Sequence, residues 1–291
     1  MPDSGRTQIV KLLMRESAEA LKTRGIDSPM RDVRLLMADA LGIQSDRLTL
    51  HLEDVVDENA EERFSNHLNA RLCRVPVSRI LGHRLFYGRK FNNSQYVLDP
   101  RPETEILIDL ALQKPFKRCL DVGTGSGCIA ISLVAETPGA FAVASDVSKD
   151  ALGTARLNAE RHSVEERITF VRSNWFEEIK GQFDLIVSNP PYIRPDELAA
   201  LAPEVALYDP ELALTDNIDG LTGYRRLAAG ASEHLEEGGR LLVEIGPTQA
   251  RDVLELFSKH GLENLEVHPD LDGRDRAVSA VKSRSNHENA Q

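Results

Sequence analysis

The stretch CLDVGTGSGCIAISLV, residues 119–134, joins a short apolar run to a helical pattern through Gly123, Gly125 and Gly127. A buried strand followed by a helix is expected here, with the glycines in the turn between them. Glycine lets the backbone turn sharply and approach a ligand closely. The spacing G-x-G-x-G differs from the dinucleotide fingerprint, and no Gly-Lys-Ser/Thr follows as in a P-loop. The loop therefore suits a nucleoside that lacks a pyrophosphate.

Apolar runs and helical patterns alternate from Glu103 onward. Five runs resemble buried strands: RCLDVG (118–123), FAVASD (141–146), ITFVRS (168–173), FDLIVSN (183–189) and RLLVEIG (240–246). This alternation is typical of βαβ units and a mostly parallel sheet. NLEVHPD (264–270) and DRAVSAVK (275–282) lie close together and predict one antiparallel strand at the sheet end. Residues 101–283 are thus expected to form a Rossmann-like α/β domain, followed by a disordered polar tail at 284–291.

The residues before the α/β region carry helical patterns. Apolar residues recur at helical spacing in three segments: 9–21, 28–42 and 59–72. In the second segment, Ser28 is a candidate N-cap and Pro29 suits the first helical position. Aromatic and β-favouring residues in 84–99 predict a β-hairpin. We expect a small helical domain at 1–82 and a hairpin linker at 83–100.

Charge is distributed unevenly along the chain, whose net charge is −11. Residues 1–100 carry 15 Lys+Arg and 14 Asp+Glu, whereas residues 101–291 carry 20 and 32. So acidic a region argues against a long nucleic-acid track, and no direct nucleic-acid partner is expected. Residues 71–90 contain six basic residues and no acid. This basic strip could be a solvated face or a docking surface for an acidic partner.

Several features predict a cytoplasmic protein. No apolar stretch is long enough to span a bilayer, and the first residues lack the apolar core of a signal peptide. Cys73, Cys119 and Cys128 show no metal-type spacing and are expected to be buried, reduced thiols. No metal site is predicted.

Two residues near the ends of predicted strands are candidates for binding a nucleoside. Asp146 ends the strand FAVASD, where an acid can accept hydrogen bonds from both ribose hydroxyls. Trp175 follows the strand ITFVRS and could stack on an adenine or pack in the core. An acidic domain would also favour a cationic ligand such as a sulfonium.

The segment NPPY, residues 189–192, directly follows the apolar run FDLIVS. It could simply end a strand, because proline cannot continue a central ladder. In a doubly wound sheet, however, it would adjoin the glycine loop at the ligand-binding edge. The Asn189 side-chain oxygen and the Pro190 carbonyl are two acceptors, and Pro191 restricts the geometry of Pro190. Two fixed acceptors suit a planar NH₂ group, against which Tyr192 can lie.

These segments carry a family resemblance. DVGTGSGCIAI, NWF and NPPYI resemble S-adenosylmethionine-dependent methyltransferases that modify planar amino groups. Five further segments extend the resemblance to the PrmC/HemK family nearly end to end: FYGRKF (86–91), VLDPRPETE (97–105), EVALYDPELAL (204–214), DGLTGYRRL (219–227) and LLVEIGPTQ (241–249). That family methylates the glutamine side-chain amide in the Gly-Gly-Gln loop of class 1 peptide chain release factors. It pairs a helical domain with a class I methyltransferase domain.

The resemblance implies roles for particular residues and for the domains. S-adenosylmethionine would be held by Gly123, Thr124, Gly125, Ser126, Gly127, Asp146 and Trp175, with Asn189 beside it. The substrate glutamine would be held by Asn189, Pro190, Pro191 and Tyr192. Residues 1–82 would dock the release factor. Two alternatives stay open: an adenine-N6 methyltransferase acting on nucleic acid, and a non-enzymatic S-adenosylmethionine-binding module.

Overall fold

The computed structural model describes residues 9–283, which form two compact units. The predicted tail at 284–291 lies outside the described residues. One unit contains the residues up to Gly82 together with Pro203–Tyr208, and the other contains His83–Ala202 and the residues from Asp209 onward. Within the described range, no helix combines the length and apolar character needed to cross a bilayer.

The first unit is helical, as the sequence predicts. Its helices are α1 (Val10–Thr23), α2 (Pro29–Leu41), α3 (Glu58–Leu72), α4 (Val77–Leu81) and α8 (Pro203–Tyr208), with a 3₁₀ turn at Leu48–His51. Leu21, Leu36 and Phe64 are fully or almost fully buried in its core. Ser28 precedes α2, but its φ of 53° is left-handed and its side chain makes no capping bond. Ser28 therefore occupies the predicted N-cap position, but its side chain does not cap the helix.

A buried arginine joins α8 to the other helices of this unit. Arg71 is 6% exposed and donates to Asp32 (2.7 Å) and Glu204 (2.9 Å). Arg74 also donates to Glu204, and the Tyr208 hydroxyl donates to the Cys73 carbonyl. Because its side chain is buried and paired with acids, Arg71 fits neither interpretation of the basic strip.

Other members of the basic strip also have acidic neighbours within their own unit. Arg89 forms an ion pair with Glu136 at 2.7 Å, and Arg84 lies 3.8 Å from Asp99. Cys119 and Cys128 are buried, but Cys73 is exposed, so the expectation of three buried thiols is wrong for Cys73.

The second unit begins with the predicted hairpin. Strands β1 (His83–Phe86) and β2 (Arg89–Asn92) pair antiparallel. Tyr87 and Gly88 form the turn with φ values of 46° and 71°, the positive angles that a two-residue hairpin turn requires. The hairpin is confirmed, although its second strand ends at Asn92.

The predicted parallel sheet is also confirmed. Its strands are β3 (Arg118–Val122), β4 (Phe141–Asp146), β5 (Ile168–Arg172), β6 (Phe183–Ser188), β7 (Leu235–Glu244), β8 (Leu262–Pro269) and β9 (Asp275–Lys282). Their order is β5-β4-β3-β6-β7-β9-β8, and β9 runs antiparallel to both of its neighbours. The single antiparallel strand thus lies one place inside the sheet edge.

Helices cover both faces of the sheet. They are α5 (Glu105–Leu112), α6 (Cys128–Glu136), α7 (Lys149–Arg161), α9 (Glu211–Leu214), α10 (Thr222–His234) and α11 (Ala250–Lys259), with 3₁₀ turns at Pro102–Thr104, Glu165–Arg167 and Leu198–Ala200. Because side chains alternate along a strand, Cys119 faces the core beneath α5 and α6, whereas Leu120 faces the core beneath α10 and α11.

The strand order places a crevice between β3 and β6. From β3 the chain proceeds to β4 and β5 on one side, while β6 and β7 lie on the other. Ligands of doubly wound sheets bind outside the carboxyl ends of strands at such a reversal. Val122 and Ser188 are register partners at these ends. The glycine loop and the NPPY segment therefore leave the sheet side by side.

Candidate active site

A cavity of about 390 Å³ opens at this reversal, within the size range of ligand pockets. Its lining includes most of the predicted site residues: Gly123, Thr124, Gly125, Ser126, Asp146, Trp175, Asn189 and Pro191. Gly127, Pro190 and Tyr192 are outside the lining. The structure thus brings eight of the eleven predicted residues to one cavity and places the other three next to it.

Two glycines of the loop expose backbone to the cavity. Gly123 and Gly125 have φ values of 75° and 55°, which side chains disfavour. Beyond the glycine itself and its two chain neighbours, no described heavy atom lies within 4 Å of the place where a Cβ on either residue would stand. A ligand can therefore approach the backbone at both positions.

Gly127 serves a different purpose from the other two glycines. It precedes α6, and a Cβ there would lie 2.8 Å from Ile131 Cδ1 and 3.1 Å from Ala155 Cβ. Ala155 belongs to α7. The missing side chain lets these two helices pack closely, so Gly127 shapes the base of the loop.

A buried carboxyl group holds the glycine loop from below. Asp121 is fully buried, and its Oδ2 accepts hydrogen bonds from the Thr124 hydroxyl (2.6 Å) and the Ala130 N–H (3.2 Å). Its Oδ1 has no hydrogen-bond partner among the described residues. Burial raises the pKa of Asp121 to about 7. The loop therefore rests on a carboxyl group that is costly to ionise.

Asp146 connects the glycine loop to the next strand and helix. Its Oδ2 accepts from the Gly125 N–H and its Oδ1 from the Ser148 N–H, both at 2.9 Å. Burial raises the pKa of Asp146. Each carboxylate oxygen has a second lone pair, so both can still accept from a diol in the cavity.

The Trp175 side chain lies between the core and the cavity. The half-buried side chain packs against the core beneath α10 and also lines the cavity. Its backbone has a left-handed φ of 56°, and its carbonyl accepts from the Ser173 hydroxyl. Gly223 on α10 provides the space, because a Cβ there would lie 3.0 Å from the Trp175 ring and 2.8 Å from Pro190.

A chain of hydrogen bonds supports the NPPY segment from behind. The Asn189 side-chain NH₂ donates to the Thr104 hydroxyl at 3.2 Å, and that hydroxyl donates to Glu244 Oε2 at 2.5 Å. The Tyr192 hydroxyl donates to the other oxygen, Glu244 Oε1, at 3.2 Å. Burial raises the pKa values of Glu244 and Tyr192. One buried carboxyl group therefore fixes both ends of the segment.

The backbone of Tyr192 is fixed as well. The Gln249 side-chain NH₂ donates to the Tyr192 carbonyl at 3.0 Å and to the Gly220 carbonyl at 3.2 Å. The Gln249 oxygen accepts from the Gly246 N–H and the Tyr224 hydroxyl. Tyr192 is thus held at two points: Glu244, the last residue of β7, binds its hydroxyl, and Gln249, shortly after β7, binds its carbonyl.

An aspartate joins two segments that contribute to the cavity lining. All residues of 95–101 except Asp99 line the cavity, as do Pro210, Leu212 and Ala213. Asp209 accepts from the Arg101 guanidinium at 2.5 Å and from the Asp99 N–H at 3.2 Å. Tyr96 and Leu212 leave 49% and 63% of their surface exposed. Both segments therefore offer an apolar group to a bound molecule.

Sequence reasoning missed the supporting residues Thr104, Asp209, Glu244 and Gln249. All four lie in segments quoted for the family resemblance: VLDPRPETE, EVALYDPELAL and LLVEIGPTQ. The family motifs marked these residues but did not reveal what they do. Nothing in a linear sequence pairs residue 104 with residue 244.

Comparisons with known proteins agree along almost the whole chain. A family model described as PrmC N-terminal domain matches residues 13–82, and one described as Methyltransferase small domain matches residues 94–205. The release factor glutamine methyltransferase of Cereibacter sphaeroides is 51% identical over 267 residues, covering 92% of this chain and 96% of that protein. The protein of the same name from Agrobacterium fabrum is 42% identical, with coverages of 89% and 92%.

Solved structures add a likeness in fold. The crystal structure of a methyltransferase from Pyrococcus furiosus aligns with a TM-score of 0.53 at 19% identity. The alignment covers 76% of this chain and 100% of that one.

Proposed function

Because the chain belongs to the PrmC/HemK family of release factor glutamine methyltransferases, we propose that it methylates the glutamine of the Gly-Gly-Gln motif in class 1 release factors. The methyl group moves from S-adenosylmethionine to the side-chain amide nitrogen. The observation that carries the proposal is the pairing of Val122 with Ser188, which sets the glycine loop beside the NPPY segment. The residues proposed for the nucleoside therefore adjoin those proposed for the planar amide.

The residues around the cavity fit S-adenosylmethionine. The exposed backbone at Gly123 and Gly125 forms a cradle that side chains would fill, and Thr124 and Ser126 lie between and beyond them in the same lining. Asp146 has free lone pairs for ribose hydroxyls, and Trp175 offers a ring to the adenine. When bound, the cofactor supplies an electrophilic methyl group on a sulfonium.

The NPPY segment would hold the amide and prepare its nitrogen. Asn189 Oδ1 and the Pro190 carbonyl accept the two N–H bonds, while Pro191 fixes the backbone and Tyr192 lies against the flat group. An amide nitrogen is a poor nucleophile because its lone pair is delocalised. Acceptors on both N–H bonds stabilise the positive charge that develops as it attacks, by about 3 kcal/mol per placed group. Alignment of nitrogen and methyl contributes on the order of 7 kcal/mol more.

The two units would divide the work. Residues 1–82 would dock the release factor, and residues 101–283 would carry out methyl transfer, with the hairpin segment 83–100 as the first part of the second unit. Class 1 release factors act on ribosomes, so the enzyme works in the cytoplasm. The 20 basic and 32 acidic residues of 101–291 favour a protein substrate over a nucleic acid.

A methyl-transfer assay tests this function. The purified protein is incubated with methyl-labelled S-adenosylmethionine and either a class 1 release factor or the same factor with its Gly-Gly-Gln glutamine replaced by glutamate. We expect label on the first protein and none on the second, because a carboxylate has no N–H to hold. Absence of label on the unaltered factor, or label on nucleic acid instead, would refute the proposal.

A further inference from the structure

The hydrogen bonds behind Asn189 have a direction that their chemistry fixes. An ionised Glu244 carboxylate only accepts hydrogen bonds, so the Thr104 hydroxyl donates its hydrogen to this group's Oε2, 2.5 Å away. That hydroxyl has no second hydrogen, and it can therefore only accept from the Asn189 amide at 3.2 Å. The Asn189 NH₂ group is therefore the part of the amide that bonds to Thr104. Asn189 and Thr104 both line the cavity, so Asn189 Oδ1 is the atom that can accept a hydrogen bond from a molecule bound there.

We propose that Glu244 is a positioning residue that, through Thr104, holds Asn189 with its oxygen available to the substrate and thereby selects an amide over a carboxylate. This inference rests on the proposed function. An Asn189 amide turned by 180° would present NH₂ instead of oxygen. That group would repel the N–H bonds of a glutamine and would donate to the oxygens of a glutamate.

Glu244 can act only through its neighbours. It is 1% exposed and does not belong to the cavity lining, which Thr104 reaches. Burial raises the pKa of Glu244, and the hydrogen bonds from Thr104 and Tyr192 and the nearby Arg276 guanidinium act in the opposite direction. A glutamine in its place could accept on one oxygen only, so one of the two donors would lose its partner.

The test compares four variants of the full-length protein. Thr104→Val breaks the chain with little change of shape, and Thr104→Ser keeps the hydroxyl. Glu244→Gln removes one acceptor, and the fourth variant combines Glu244→Gln with Thr104→Val. Thr169→Val, at an exposed position on β5, is the matched control. Each protein is measured for kcat with a release factor, affinity for S-adenosylmethionine, and thermal midpoint.

A fourth measurement tests the consequence of the Asn189 amide orientation, the preference for glutamine over glutamate. Two peptides spanning the Gly-Gly-Gln loop, one with glutamine and one with glutamate, compete with the release factor for the parent and each variant. The ratio of their inhibition constants measures selection of the amide. A residue that only stabilised the fold would leave this ratio unchanged.

We expect Thr104→Val to lower kcat by about 10–100-fold, by analogy with the loss of a hydrogen-bond partner behind a metal ligand. Affinity for S-adenosylmethionine should be unchanged. The ratio of the inhibition constants of the glutamate and glutamine peptides should move closer to one. Thr104→Ser should keep most of both properties. Glu244→Gln should reduce kcat in the parent but add little to Thr104→Val, because both act on one chain. A Thr104→Val enzyme with parental kcat and peptide preference, or fully additive losses, would overturn the inference. Failure of the parent to methylate would instead refute the proposed function.

Discussion

The backbone N–H of Gly125 donates a hydrogen bond to the Asp146 carboxylate, with an N–O distance of 2.9 Å. This bond ties the loop after β3 to the end of β4. Asp146 also accepts from the N–H of Ser148, so one side chain sets the position of three segments of backbone. An acid at this position therefore shapes the cavity before it contacts any ligand.

Replacement of Asp146 by alanine should weaken binding of S-adenosylmethionine by about 1–3 kcal/mol, the cost of losing a hydrogen-bond partner that carries charge. Both the ribose contact and the support of Gly125 disappear in this variant. Isothermal titration calorimetry measures the change. Asp150→Ala, at an exposed position in the first turn of α7, is the matched control. Parental affinity in Asp146→Ala would place the ribose elsewhere.

Replacement of Asn189 by alanine should act mainly on kcat. The variant loses one of two acceptors for the substrate NH₂, and removal of a placed electrostatic group typically costs about 10²–10³-fold in rate. Single-turnover kinetics with a release factor measures the chemical step. Cofactor affinity and the denaturation midpoint must be measured alongside, since Asn189 also borders the cofactor region. Turnover close to that of the parent, with the fold intact, would mean that NPPY merely ends β6.

Local sequence patterns were sufficient to predict the strands and the two strand ends beside which the cavity opens. The run FDLIVS becomes β6, and its last residue, Ser188, is buried beside Val122, the last residue of β3. The adjacency of β3 and β6 followed from the alternation of strands and helices together with the topology of doubly wound sheets. These predictions needed only residues that are close in sequence or equivalent in position along neighbouring strands.

Contacts between distant segments were not predictable in this way. Thr104 and Glu244 are separated by 140 positions but share a hydrogen bond. Likewise, no sequence pattern assigns Glu204 to the helical unit, which it joins through Arg71 and Arg74. Ser28 matched an N-cap by residue type, yet its left-handed backbone removes the capping geometry. Tertiary packing determines each of these details.

The buried carboxyl group of Asp121 should make stability depend on pH. Its pKa in the folded chain is raised to about 7 by burial, whereas an unfolded aspartate titrates near 4. The folded state therefore binds an extra proton between these values, and stability falls as the pH rises through that window. Asp121→Asn removes this titration. Between pH 5 and pH 8, the free energy of unfolding of the variant should gain about 2–3 kcal/mol relative to the parent.

Chemical denaturation at several pH values, followed by a probe in the second unit such as Trp175 fluorescence, measures this difference. Only the change with pH is informative, because asparagine also alters the bonds to Thr124 and Ala130. Other titrating groups are common to both proteins and cancel. Parallel curves for the two proteins would show that Asp121 titrates at its ordinary pKa.

Removal of the Arg71 side chain should destabilise the helical unit strongly. Arg71 is buried, and its removal would leave Asp32 without its arginine partner and Glu204 with Arg74 alone. Breaking a buried ion pair by removing one partner typically costs about 3–5 kcal/mol. Burial raises the pKa of Asp32 even with Arg71 present, which shows how poorly solvated this carboxyl is. Hydrogen exchange of the full-length protein should therefore show faster exchange in Arg71→Ala across α2 and α3.

Arg225→Ala provides the matched control for Arg71→Ala. Arg225 pairs with Asp219 on the surface, where both side chains are roughly half exposed. Exposed ion pairs contribute about 0–1 kcal/mol, so exchange near Arg225 should change little. Hydrogen exchange in the second unit shows whether the loss of stability in Arg71→Ala is confined to the helical unit. If α2 and α3 exchanged at the parental rate in Arg71→Ala, the ion pairs of Arg71 would contribute little to the stability of this unit.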